Sequence, residues 1–241
     1  YGTGTEKLEI ELKKMFPTAR ILRMDRDTTI RKGSHEKYIK MIENKEVDIV
    51  VGTQMISKGL DFPDINLVGV INADETLNIP DFRSNEKTFS LLNQVSGRAG
   101  RSGIDSKVIL QTFNPDNILF KYLKNNDYIN FYKYEMNLRK KLNYPPFYYI
   151  LSLKICSSDY DIASKNATKI CNYLRNNIDK KSIILGPSTA SLFKLNNIYR
   201  FQIIIKYKYD NLLYDSIKFI DNMYINEKKV YLEIDSNPIT I

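Results

Sequence analysis

Residues 94–101 read Gln94-Val95-Ser96-Gly97-Arg98-Ala99-Gly100-Arg101. On a helix, positions 94, 98 and 101 fall on one face, so a glutamine and two guanidiniums would project together. Gly97 and Gly100 each cost a helix about 1 kcal/mol relative to alanine. Such residues persist where a backbone must approach something closely. Arginine forks above a backbone pared down to glycine suit a polyphosphate. The competing reading of an RxxR pair is a solvated basic face beside a helix C-terminus. The glycine spacing and the leading glutamine favour the phosphate grip.

A second chemistry-bearing run lies upstream, Gly52-Thr53-Gln54-Met55-Ile56-Ser57-Lys58-Gly59-Leu60-Asp61-Phe62-Pro63. Gly59 lets the backbone approach a ligand. Asp61 can accept from a sugar hydroxyl or orient a neighbouring arginine. Thr53 and Gln54 can donate to a backbone phosphate from a strand-end loop. Alone, KGxD is an ordinary turn; about 35 residues before QxxGRAGR it becomes specific.

The elements that must position these runs are legible from periodicity. Leu8, Leu12 and Met15/Phe16 recur at helical spacing after Thr5, a candidate N-cap, and Pro17 ends that helix. Strands are expected at 19–24, 48–53, 67–71 and 107–111, with a helix over about 33–43. Strands alternating with helices at this pitch imply a parallel sheet covered on both faces, with ligands gathered at the C-terminal strand ends. Gly52-Thr53-Gln54 and Asn72-Ala73-Asp74 stand at such ends.

Residues 115–142 are helical in pattern, and Asn143-Tyr144-Pro145-Pro146 stops any helix there. The domain boundary is therefore placed between 142 and 143. Beyond it the expected order is a strand (148–156), a helix (159–177), two strands (182–185 and 199–207), a helix (211–224) and a last strand (229–235). That βαββαβ order is the ferredoxin-like arrangement, which assigns no function by itself.

Composition separates the halves. Residues 1–120 hold 17 Lys/Arg against 17 Asp/Glu, whereas 121–241 hold 19 against 11 and carry 15 of the 17 tyrosines. Basic charge with interleaved aromatics suits nucleic acid, through phosphate attraction and base stacking. A general excess of Lys, Asn, Ile and Tyr in the source organism would give the same statistics. No apolar run reaches about 18 residues, so no membrane helix is expected. Cys156 and Cys171 read as reduced buried thiols of a cytosolic protein. A chain that starts at Tyr1 rather than Met is expected to be a piece of a longer protein.

Together these residues carry a resemblance. GTQMxxKGxDFP, the Leu67-Val68-Gly69-Val70 strand and QVSGRAGR resemble motifs V and VI of the second RecA-like lobe of a helicase. With Gly4-Thr5-Glu6, Arg23-Met24-Asp25-Arg26-Asp27-Thr28, Ile79-Pro80-Asp81-Phe82-Arg83, Gln111-Thr112-Phe113-Asn114-Pro115 and Tyr144-Pro145-Pro146-Phe147 the set resembles the PriA family of bacterial replication restart helicases. The likeness runs along nearly the whole chain and is densest through residue 147.

The resemblance implies an α/β chain: a RecA-like parallel-sheet lobe with trailing helices (1–142), then a smaller ferredoxin-like α+β domain for DNA or partner contact (143–241). It implies an ATP-driven motor moving 3′ to 5′ on DNA at stalled forks. Arg101 would be the arginine finger, with Arg98 beside it and Gln94 reading the γ-phosphate. Gly59 and Asp61 would complete the nucleotide contact, and Thr53, Gln54 and Lys58 would couple it to DNA. Expected partners are branched or single-stranded DNA, single-strand-binding protein and other primosome proteins, in the cytoplasm at the nucleoid and without a membrane. ATP and Mg²⁺ would be held mainly by a first lobe outside this sequence.

Departures matter as much. No GxxxxGK[ST] occurs, and Gly2-Thr3-Gly4-Thr5 lacks the lysine. Asp74-Glu75 imitates an Asp-Glu box, but with no P-loop upstream it has no Mg²⁺ to hold. The family's zinc cysteines would precede Tyr1, so no metal site is expected here. The chain alone is therefore expected to lack ATPase activity. Two other readings compete: a DNA- or single-strand-binding-protein-binding module without motor activity, and the lobe of a related branch-specific translocase.

Overall fold

The computed structural model describes residues 4–25, 28–29, 33–53, 65–97 and 106–238. It is a mixed α/β chain that divides into two compact units, Tyr1–Asn78 with Ser84–Tyr128, and Ile79–Arg83 with Ile129–Ile241. These units follow which residues pack together. They differ in extent from the motif-based division at 142/143, because 79–83 and most of the helix after 128 group with the later residues.

The first unit opens with α1 (Thr5–Met15), β1 (Ile21–Met24), α2 (Ser34–Glu43) and β2 (Ile49–Gly52). β1 and β2 run parallel, Ile21 opposite Ile49 and Met24 opposite Gly52. Their core is small: buried Met24 with Leu22, Tyr38, Ile39, Ile42, Val50 and Ile65 against it. Gly33 starts α2 at φ 87°, a left-handed conformation that glycine adopts without a Cβ penalty. β3 (Leu67–Val70), α3 (Ser84–Ser96), β4 (Lys107–Leu110) and α4 (Ile118–Lys124) follow. β3 and β4 form a second parallel pair, Leu67 opposite Lys107. Helix α3 buries Thr88, Phe89 and Leu92.

The helical stretch expected over 115–142 is two helices, α4 and α5 (Tyr128–Lys141). Asn126 at φ 51° breaks it; asparagine is one of the few side chains that tolerates this region.

The second unit carries the better-built core. β5 (Tyr149–Ser157), α6 (Tyr160–Asn177), β6 (Ile183–Leu195), β7 (Ile198–Tyr207), α7 (Asn211–Tyr224) and β8 (Tyr231–Ser236) give a four-stranded sheet ordered β6-β7-β5-β8. Every neighbouring pair is antiparallel. Leu151, Leu153, Ile155, Ile203 and Ile205 point to one face and pack with Ala163, Ala167, Ile170 and Leu174 of α6 and Leu213 and Ile220 of α7. Alanine at 163 and 167 leaves room for α6 to lie close on the strands. Asp159 and Asp210 cap α6 and α7 by accepting from Ile162 N at 3.0 Å and Leu213 N at 2.9 Å.

One strand is longer than expected. β6 continues past Gly186-Pro187 to Leu195, through register shifts between Leu185 and Ser188 and between Thr189 and Lys194. A Gly-Pro pair reads as a stop in sequence, but in an edge strand irregular pairing accommodates it.

Candidate nucleotide and nucleic-acid site

Two of the expected site residues lie among the described ones, both in the first unit. Thr53 is exposed, immediately after β2, at the C-terminal end of a parallel strand. Gln94 is exposed in the last turn of α3, which stops at Ser96. Gly97 donates its N–H to Asn93 O at 2.9 Å. A Cβ at Gly97 would meet that carbonyl at 3.3 Å, a tight approach. Gln54, Lys58, Gly59, Asp61, Arg98 and Arg101 lie outside the described residues.

Within the two units, three polar constructions each gather segments that are distant in sequence. In the first, Thr5 Oγ1 donates to Asp25 Oδ2 at 2.6 Å. The expected capping role passes to Gly4, which caps α1 with no side-chain bond. Asp25 is almost fully buried and needs donors: Thr28 N reaches its Oδ1 at 3.0 Å, and Arg23 Nε stands 3.1 Å from its Oδ2. The Thr5 hydroxyl foremost, with Thr28 and the Arg23 guanidinium, holds the Asp25 carboxyl below its ordinary value. Thr5 of one quoted motif segment and Arg23 and Thr28 of the other thus meet at the Asp25 carboxylate.

The second is Asp74, which sequence reading set aside as an imitation of a catalytic box. Its Oδ1 accepts from Thr112 Oγ1 and its Oδ2 from Phe113 N, both at 2.8 Å. Ala73 N→Gln111 O and Gln111 N→Val70 O, each 2.9 Å, extend the β3–β4 pairing to this point. Both carboxylate oxygens are spent on a loop clamp. The loop presents Phe113 with 92% of its surface exposed. Asp74→Ala would remove the acceptor for both the Thr112 hydroxyl and the Phe113 N–H at the edge of the fold, at a cost of about 1–2 kcal/mol. Urea denaturation of the two proteins is the check, and Asp74→Asn, which keeps one acceptor, should lose less.

The third construction is in the second unit. Asp81 accepts Arg83 in a fork, Nε to Oδ1 at 3.1 Å and Nη2 to Oδ2 at 3.2 Å. This fixes Phe82 flat against Tyr144, with centroids 5.0 Å apart and planes 13° from parallel. The guanidiniums of Arg83 and Arg139 each stand 4.9 Å from the Phe82 centroid. Lys206 Nζ sits 3.5 Å over Tyr144 and donates to Leu142 O at 2.9 Å. Burial pushes the Lys206 pKa down, and the ring face and carbonyl compensate the lost water. Motif residues 79–83 and 144–147 are thus partners. Sequence showed both segments and gave no sign that they touch.

Among the described residues no group of three or more His, Cys, Asp or Glu is placed to hold a metal ion. No described helix is long and apolar enough to cross a membrane.

Two family descriptions match the chain. Residues 3–103 match the helicase conserved C-terminal domain, and residues 140–239 match the primosomal protein N C-terminal domain. The class is thereby set: a helicase conserved C-terminal domain followed in the same chain by a primosomal protein N C-terminal domain. The replication restart protein PriA of Bacillus subtilis is 46% identical over 241 residues, covering 99% of this chain and 30% of that protein. PriA of Borreliella burgdorferi is 39% identical over 99% of the chain and 36% of that protein. PriA of Synechocystis sp. is 37% identical over the whole chain and 29% of that protein. The chain belongs to the PriA family of replication restart proteins, and spans about a third of the length of these relatives.

Proposed function

We propose that this chain is the second motor lobe and C-terminal domain of an ATP-dependent 3′–5′ DNA helicase that recognises stalled or branched forks and initiates primosome assembly. The observation that carries this reading is collinearity. A helicase domain and a primosomal domain follow one another, and 46% identity to a replication restart protein extends over both. On this reading the two parallel strand pairs of the first unit belong to a RecA-like lobe. The βαββαβ sheet of the second is ferredoxin-like. Nucleotide chemistry falls to residues 1–142 and DNA or partner contact to residues 143–241.

Arg101 serves as the arginine finger, Arg98 supports it, and Gln94 reads the γ-phosphate. Gly59 and Asp61 complete the nucleotide side, while Thr53, Gln54 and Lys58 carry its state to DNA. The exposed positions of Thr53 after β2 and Gln94 late in α3 support this assignment. ATP and Mg²⁺ are held mainly by the partner lobe of the longer protein, which also supplies the zinc module. The protein works in the cytoplasm, at the nucleoid, with single-strand-binding protein and other primosome proteins.

The test is ATP turnover by the pure 241-residue chain with and without DNA. The expected result is none above background in either case. DNA-stimulated hydrolysis by the chain alone would sink the assignment of nucleotide binding to another lobe. A second reading, a binding module without motor activity, is favoured by the basic, tyrosine-rich half.

A further inference from the structure

Tyrosines dominate the corner of the second unit where β5 begins and β7 ends, and burial sorts them. Tyr207 is 3% exposed and lies between two others. Tyr149 is tilted against it at 5.7 Å, and Tyr214 meets it edge-on at 6.1 Å, with their hydroxyls 3.4 Å apart. Tyr207 therefore anchors the corner and has no free ring face. Tyr149, Tyr209 and Tyr214 are 56%, 80% and 57% exposed. Tyr199, by contrast, is packed among Tyr160 and Phe193, with Lys194 Nζ 4.5 Å above its ring.

The charge at this corner is positive. Lys208 stands 5.1 Å over the Tyr148 ring. The loop carrying exposed Lys180 and Lys181 is tied to the start of α7, because Ser182 Oγ donates to Asp210 at 2.6 Å and Asp179 N does so at 3.2 Å. Asp210 itself is buried and spent on these bonds and on capping α7. Of the acids on the first turns of α7, only Asp215 is exposed.

Resting on the DNA-binding reading above, we infer that this corner is a stacking platform for single-stranded nucleic acid. Bases lie on the open faces of Tyr209 and Tyr214, beside Tyr149, while Lys180, Lys181 and Lys208 follow the phosphates. Flat rings with free faces are sequence-tolerant partners for bases, and lysines held at their edge supply the salt-dependent attraction. A ring already capped by a lysine, as Tyr199 is, cannot serve.

The test is fluorescence anisotropy of a labelled oligothymidylate titrated with the 241-residue chain. Tyr209→Ala/Tyr214→Ala should raise Kd roughly 30-fold or more, and Tyr209→Phe/Tyr214→Phe should stay close to the parent. Lys208→Ala should make the slope of log K against log salt shallower by about 0.7. Both rings are more than half exposed, so thermal unfolding followed by circular dichroism should show these variants folded. An abasic strand with the same number of phosphates should bind the parent weakly and be indifferent to the tyrosine substitutions. Unchanged affinity in the double alanine variant overturns the platform and leaves the rings to a protein partner. A Phe pair as weak as the Ala pair overturns it too, since the hydroxyls would then be the contact. If the parent chain fails to bind the strand at all, the DNA-binding reading falls with the platform. Parent binding with unaffected variants removes the platform alone.

Discussion

Replacing Arg101 with alanine, in a protein that carries this chain together with a P-loop domain, is expected to cut DNA-stimulated ATP turnover by roughly three orders of magnitude. The basis is the charge that develops on a transferring phosphoryl group. A guanidinium delivered from outside the nucleotide's own cradle is worth about 10³–10⁵ in rate in the GTPase case. Such a contact forms only in the transition state, so kcat should fall while the affinity for ATP changes little. Lysine should not restore the rate, because it lacks the planar fork that spans two phosphoryl oxygens. Steady-state hydrolysis at saturating DNA is the measurement, with oligonucleotide affinity as the control. A kcat within a few-fold of the parent would remove Arg101 from the chemistry.

Gly186→Ala should be the most damaging small substitution in the second unit, for reasons unconnected with catalysis. Gly186 has φ +107°, a conformation that costs an L side chain about 1–2 kcal/mol by itself. A Cβ built there would stand 2.7 Å from Gln202 O, 3.2 Å from Ser188 N and 3.5 Å from Ile203 Cα. All three are backbone atoms, and two belong to β7 at the middle of the sheet, so no rotamer change relieves the clash. The Gly186 carbonyl also accepts Arg175 Nη2 at 2.9 Å and faces the Cys171 thiol at 3.4 Å. Shifting this turn would disturb the seat of α6 as well. Adding strain and overpacking gives about 3 kcal/mol, or a fall in Tm of roughly 10 °C for a unit of this size. Gly69→Ala is the contrast. Nothing lies within 4 Å of its Cβ, and its φ is not in the left-handed range. There the substitution should be neutral or slightly stabilising, by about 0.5 kcal/mol. Equal melting temperatures for the two variants would contradict this account.

Sequence reading fared best where local rules decide the outcome. The order of strands and helices after residue 148 is legible because alternating and helical periodicities are strong there. It fared worse where the outcome depends on partners far along the chain. Thr5 read as a cap because sequence shows only neighbours, whereas the structure gives it to Asp25. β6 continues beyond the expected end at 185 to Leu195 because it pairs with β7, a partner that local pattern does not reveal. Of the site residues, types and spacing were legible throughout. Thr53 and Gln94 have positions to go with them, and Gln54, Lys58, Gly59, Asp61, Arg98 and Arg101 rest on motif likeness. Among the tyrosines of the second unit, packing separates the displayed Tyr209 from Tyr207 and Tyr199. Pattern alone could not do so, since a half-buried strand tyrosine and a displayed one have the same letter.

The five residues 79–83 belong with the second unit, although the chain around them belongs to the first. The coding segment for 129–241 is therefore not a cassette. A gene fusion that moved it alone onto another domain would leave Phe82 behind, and the Tyr144 ring would lose the partner against which it is stacked. A transplant that keeps this stack therefore has to carry two separate stretches of the gene, 79–83 as well as 129–241.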